Sequence, residues 1–132
     1  MLMKFSTKHF INRIKNHSLK GLTHLSNILV NKFTLSVLKN MYKEGAIQSL
    51  IIHPQSLTCS MFLVTVNLRI VGGNSVLQNI KTFNPVNSSV KLKNLDRLVF
   101  KQVTFFVSAT KGISTPLHLK RTRSGGTLLL SF

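Results

Sequence analysis

Lysine and arginine supply 18 of 132 residues and acids only 2, a formal charge of +16 that makes an isolated fold repel itself. A hydrophobic share of 43% with 9 phenylalanines excludes a disordered chain, and a single cysteine, Cys59, excludes an internal disulfide and any thiol-cluster metal site. What remains is one folded domain, or two small lobes, with a polyanion as its standing partner. Nucleic acid fits first, because neutralised phosphates release counterions, and an anionic membrane surface second.

The chain reads in order as follows. Ser6 or Thr7 caps a helix running to about Asn16, with Phe10, Ile11 and Ile14 on its apolar side. His17 to Gly21 is expected as a loop and Leu22–Val30 to hold a short extended piece. From Asn31, Phe33, Val37, Leu38 and Met41 recur at helical spacing, and Gly45 is the stop. Ile47–His53 is a β-branched strand. Phe62, Val64, Val66, Leu68 and Ile70 then alternate with Thr65, Asn67 and Arg69, as in a half-buried antiparallel strand. Gly72-Gly73-Asn74 signals a hairpin, with Val76–Phe83 returning as its partner.

Beyond the Asn84–Ser89 loop, Val90–Leu92 is a short extended piece and Asn94–Leu98 a single helical turn. A buried strand ends at Val107 and delivers Ser108-Ala109-Thr110-Lys111-Gly112 as a polar surface turn. Thr115-Pro116 opens a short helix, cap then proline. Ser124-Gly125-Gly126 breaks it, and Thr127–Phe132 is a last strand. The expected fold is α+β: an N-terminal α-β-α-β-β lobe, residues 1–75, packed on a C-terminal, mostly β lobe with a short helix, residues 76–132.

Nothing in the chain assembles a catalytic site, and no enzyme activity, metal or cofactor is expected. Glu44 and Asp96 are the only carboxylates, and His9, His17, His24, His53 and His118 lack the short spacings of metal ligands. Gly72-Gly73 and Gly125-Gly126 read as turns rather than a phosphate loop. No apolar run approaches the ~18–20 residues of a spanning helix. The cations run from Lys4 to Arg123 instead of gathering on one amphipathic helix. The segment up to Leu25 has the basic, acid-free composition of a mitochondrial transit peptide, but is expected to belong to the fold. The turn at Ser108–Gly112 offers hydroxyls, an ammonium and little bulk, which suits a phosphate-sugar backbone.

Four stretches resemble one known family in order and spacing: Arg13-Ile14-Lys15-Asn16, Leu38 to Ile47, Ser108-Ala109-Thr110-Lys111-Gly112-Ile113, and Ser124-Gly125-Gly126 before an apolar strand. The family is that of the eighth protein of the small ribosomal subunit. The resemblance implies a structural protein that binds the central domain of small-subunit rRNA and adjoins other small-subunit proteins. Carried over to this chain, the contacts are Ser108, Thr110, Lys111 and Gly112, with Gly125 and Gly126 nearby. Arg13, Asn16, Lys32, Lys120, Arg121 and Arg123 are expected to add phosphate contacts.

Three departures mark divergence. Asn84-Pro85 leads to Ser89-Val90-Lys91 where relatives have an arginine and a tyrosine. Thr127 replaces an acid, and Pro116-Leu117-His118-Leu119-Lys120 replaces an acidic-basic helix. With so few acids, the resemblance points to a mitochondrial form over a plastid one. A basic peripheral membrane protein and a non-ribosomal RNA-binding protein are the competing expectations.

Overall fold

The fold was analysed on a computed structural model that describes residues 5–53, 61–83, 89–91, 97, 105–109, 112–123 and 125–132. It is an α+β protein whose chain divides into two compact units, Phe5–Asn79 and Ile80–Phe132.

The first unit opens with helix α1, Phe5–Leu19, which buries Phe10, Ile11 and Ile14. Strand β1, His24–Asn31, leads into helix α2, Lys32–Lys43. Asn31 caps α2: its side chain accepts a hydrogen bond from the Thr34 N–H at 2.7 Å, satisfying one of the donors a helix start leaves open. Strands β2, Ile47–His53, and β3, Met61–Leu68, complete a three-stranded antiparallel sheet in the order β1-β3-β2. Val64, Val66 and Leu68 of the central strand share a core with Leu25, Ile28 and Val30 of β1 and Val37, Leu38 and Met41 of α2, all at most 4% exposed. At ~1.5–3 kcal/mol for each fully buried side chain, this layer outweighs any local propensity in the unit.

Both helices end in the same way. Gly21 and Gly45 take φ values of +74° and +85°, the left-handed conformation that glycine adopts without strain. The N–H groups of the residues that follow reach back to His17 O (3.0 Å, from Leu22) and Met41 O (2.9 Å, from Ala46). This explains one difference from the sequence reading. With no breaker before Gly21, α1 continues through His17, Ser18 and Leu19, and at its other end it already includes Ser6 and Thr7.

Two further expectations are corrected. The alternation of β3 stops at Leu68. Ile70 is 50% exposed and belongs to a separate ribbon of β4, Ile70–Val71, and β5, Asn74–Ser75, closed by Gly72 and Gly73 at φ +61° and +84°. Val76–Phe83 does not return as that hairpin's partner; within it only Lys81–Thr82 is extended, and it pairs with the last strand of the chain. Val76–Asn79 is a 3₁₀ turn begun by Ser75 Oγ, which accepts from Leu77 N–H at 3.3 Å, and Leu77 is fully buried.

The second unit is built on β10, Gly126–Ser131. On one side it pairs with β8, Phe105–Ala109, which pairs onward with β9, Gly112–Ser114. On its other side lie β6, Lys81–Thr82, and β7, Ser89–Val90. Every pairing is antiparallel. Phe106 and Val107 of β8 and Leu129 and Leu130 of β10 are buried in consecutive pairs, so both faces of these strands are covered. The Phe106 and Phe132 rings meet edge to face at 5.4 Å. Helix α3, Pro116–Thr122, packs against β8 with Leu119 buried; Thr115 is its N-cap by position, without a side-chain cap bond. The Asn84–Ser88 part of the expected loop, and the expected turn at Asn94–Leu98 apart from Arg97, lie outside the described residues.

Candidate nucleic-acid interface

The two C-terminal motifs meet in the second unit. In the ladder Thr127 stands opposite Ser108, so Gly125-Gly126 arrives beside the end of β8. Gly126 lets the two backbones close up: a Cβ there would lie 2.3 Å from the Ser108 carbonyl oxygen and 2.8 Å from Val107 Cγ1. On the other edge of β8, Ser108 pairs with Ile113 and Ala109 with Gly112, joining β8 and β9 in a hairpin. Thr110, Lys111 and Ser124 lie outside the described residues. Gly112 is exposed at φ +113°, a backbone conformation reserved in practice for glycine, with open space where a side chain would point.

Ser108 is where the structure departs most from the expected surface turn. It is the fourth residue of β8 and only 4% exposed, and the hairpin is tighter than a five-residue polar turn. The strand continues through Ser108 because β10, freed of side-chain bulk at Gly126, pairs that far along, and Ala109 is paired with Gly112 of β9.

The helix packed on β8 and its cap expose cations as well as Leu117 and His118. Lys120, Arg121 and Arg123 are solvent-facing on α3 and its cap, beside exposed Gly125. Cations in the last turn suit the negative end of the helix dipole. Arg123 stands at the helix end with φ +53° and ψ +48°, its N–H directed at the Leu119 and Lys120 carbonyls. A left-handed arginine carries a strain of roughly 1–2 kcal/mol that glycine avoids. Lys81 and Arg97 are further exposed cations of this unit that motif reading did not select, since only the overall charge pointed to them.

Arg13, Asn16 and Lys32 belong to the first unit. All three are exposed, Arg13 and Asn16 on α1 and Lys32 at the start of α2. His17 Nδ1 lies 3.3 Å from the Arg13 carbonyl oxygen. Other polar side chains of this unit tie its sheet together: His24 Nδ1 lies 2.6 Å from Asn67 Oδ1, the Asn67 amide donates to Ser49 Oγ at 2.7 Å, and His53 Nε2 lies 2.8 Å from Thr65 Oγ1. Glu44 is exposed at the end of α2, and Asp96 lies outside the described residues. Among the described residues no group of three or more histidines, cysteines or acids is placed to hold a metal ion, and no helix is long and apolar enough to cross a membrane.

Exposed cations on the helix that packs against a closely paired β-sheet, in a chain of net charge +16, suit a class of RNA-binding structural proteins in which phosphate contacts position the protein. The family model for ribosomal protein S8 matches residues 7–132, nearly the whole chain, and the chain belongs to that family. It is thus a small-subunit ribosomal protein that binds rRNA, in a family of structural proteins rather than enzymes. No curated protein matches the chain at a significant level.

Proposed function

We propose that the chain is the mitochondrial version of this small-subunit protein and that it grips the central domain of the small-subunit rRNA through the β8–β9 hairpin. Thr110, Lys111 and Gly112 are the proposed tip contacts. Gly125, Lys120, Arg121 and Arg123 flank them, and Arg13, Asn16 and Lys32 supply phosphate contacts from the first unit. Ser108 and Gly126 act beneath the tip: the first is buried in β8, and the second admits the close strand approach that holds the hairpin. The observation that carries this reading is a hairpin and a glycine pair side by side in one sheet of a chain with net charge +16. The near-absence of acids supports an organellar form, in which rRNA supplies the missing negative charge.

Lys111→Ala is expected to weaken rRNA binding and to reduce the salt slope of log K by about 0.9, the value for one lost phosphate contact on a duplex. Titration of a central-domain fragment at several salt concentrations measures it, and an unchanged slope removes Lys111 from the contact. The compartment is tested separately. The chain should co-sediment with the small ribosomal particle of purified mitochondria, and recovery only in cytosolic or plastid particles refutes the mitochondrial assignment.

A further inference from the structure

The first unit carries an apolar patch that its own core does not use. Leu19 at the end of α1, Leu22 in the following loop, and Ile70 and Val71 of the β4–β5 ribbon are each between 50% and 58% exposed. Leu19, Leu22 and Ile70 share the wall of a small open cleft of about 100 Å³. Its polar lining includes Ser18 and Ser75, whose hydroxyls are 3.2 Å apart. The cleft falls below the ~300–1,000 Å³ range of small-molecule pockets and is too open to bury a ligand's surface as those pockets do. Large apolar side chains clustered at a surface concavity mark a protein contact instead. An rRNA strand would leave them unsatisfied, because it presents phosphate and sugar outward.

The surroundings specify the partner's charge. Lys20, between lining residues Leu19 and Gly21, is exposed, whereas Arg69, next to Ile70, keeps its guanidinium 3.4 Å from the Gly45 carbonyl oxygen. Glu44 is the sole acid in the sequence of Phe5–Asn79, so the cleft sits in a field of one sign. We infer that this cleft docks an apolar segment of a neighbouring protein whose flanking residues are acidic, its leucine-like side chains entering between Leu19, Leu22 and Ile70. Such a segment gains from apolar burial at the centre and from complementary charge at the rim.

The test begins with the full chain saturated with small-subunit rRNA, which neutralises its bulk charge; failure at this step would count against the rRNA reading and not against the cleft. The complex is then titrated with fluorescein-labelled short peptides made of leucine and glutamate, or of leucine and lysine. Saturable binding of the glutamate peptide is expected, with the lysine peptide roughly tenfold weaker or worse. Leu22→Glu and Ile70→Glu should each weaken the glutamate peptide by about the same factor or more, with rRNA affinity unchanged. Leu29→Glu, at an exposed apolar position outside the cleft, should leave the peptide affinity as it was. Leu22→Ser and Ile70→Ser repeat the measurement if either glutamate variant unfolds. Equal binding of the two peptides overturns the inference, as does equal binding by wild type and cleft variants, or loss of rRNA affinity in those variants. So does retention on phosphatidylcholine–cardiolipin vesicles, abolished by the same substitutions, when neither peptide binds.

Discussion

Gly126 and Arg123 show how the second unit depends on backbone geometry at single positions. A methyl group at Gly126 would meet a backbone oxygen, which cannot swing aside as a side chain can. Gly126→Ala should therefore destabilise the second unit by about 1–3 kcal/mol, the usual range for overpacking, in a urea or thermal unfolding measurement. Arg123 presents the opposite case. Its left-handed conformation strains an arginine by roughly 1–2 kcal/mol, while glycine loses about 0.5–1 kcal/mol more in conformational freedom on folding. Arg123→Gly should then raise thermal stability modestly, by roughly 1 kcal/mol or less, and at the same time weaken rRNA binding. A residue kept only for the fold would move both readings together. The glycine pair was visible in the sequence, but its reason was not. Nothing in Gly125-Gly126 as a string says that Ser108 O lies against it, because that contact joins residues far apart in the chain. The burial of Ser108 was hidden for the same cause: Thr110 to Gly112, just after it in sequence, read as a polar turn, while its neighbours in space are strands.

At the level of elements, the local signals read best where one periodicity ran for several turns or pleats. Ile47–His53 coincides with β2, and the Asn31 cap with Gly45 as stop brackets α2. Replacing the cap, Asn31→Ala, should cost about 1 kcal/mol, read as a lower urea midpoint at unchanged slope. Where reading failed, a long-range pairing or a local bond had overruled the pattern. Ile70 continues the alternation of β3 perfectly in sequence, yet β1 and β2 both run out of partners by Leu68, and the chain turns into its own short ribbon. Val76–Phe83 is strand-like in composition, but the Ser75 hydroxyl draws the Leu77 N–H into a 3₁₀ turn. The α1 overrun has the simplest account: polar residues such as His17 and Ser18 do not end a helix while its backbone bonds still close, and the left-handed glycine does.

For the molecule as a whole, charge governs behaviour more than shape does. With a net charge of +16, the chain in low salt should bind any polyanion, and only at raised ionic strength should rRNA binding become selective. Competition by unrelated RNA, measured at low and at high salt, checks this: the competitor should lose its effect as salt rises, whereas equal competition throughout would mean that the hairpin contributes no preference. This charge imbalance was the most legible functional signal in the sequence. The docking cleft was the least legible, since Leu19, Leu22 and Ile70 look like ordinary core residues until the fold leaves them half exposed.

The position of β10 in the chain also orders events during synthesis. It follows every strand it pairs with, so β6, β7, β8 and β9 are made before the strand that unites most of them. The Phe5–Asn79 unit, whose three-stranded sheet is complete by Leu68, can fold while the remainder is still being translated. A nascent chain halted before residue 126 would thus carry a finished amino-terminal unit and an unassembled second unit, and would lack the grip on rRNA proposed for that unit.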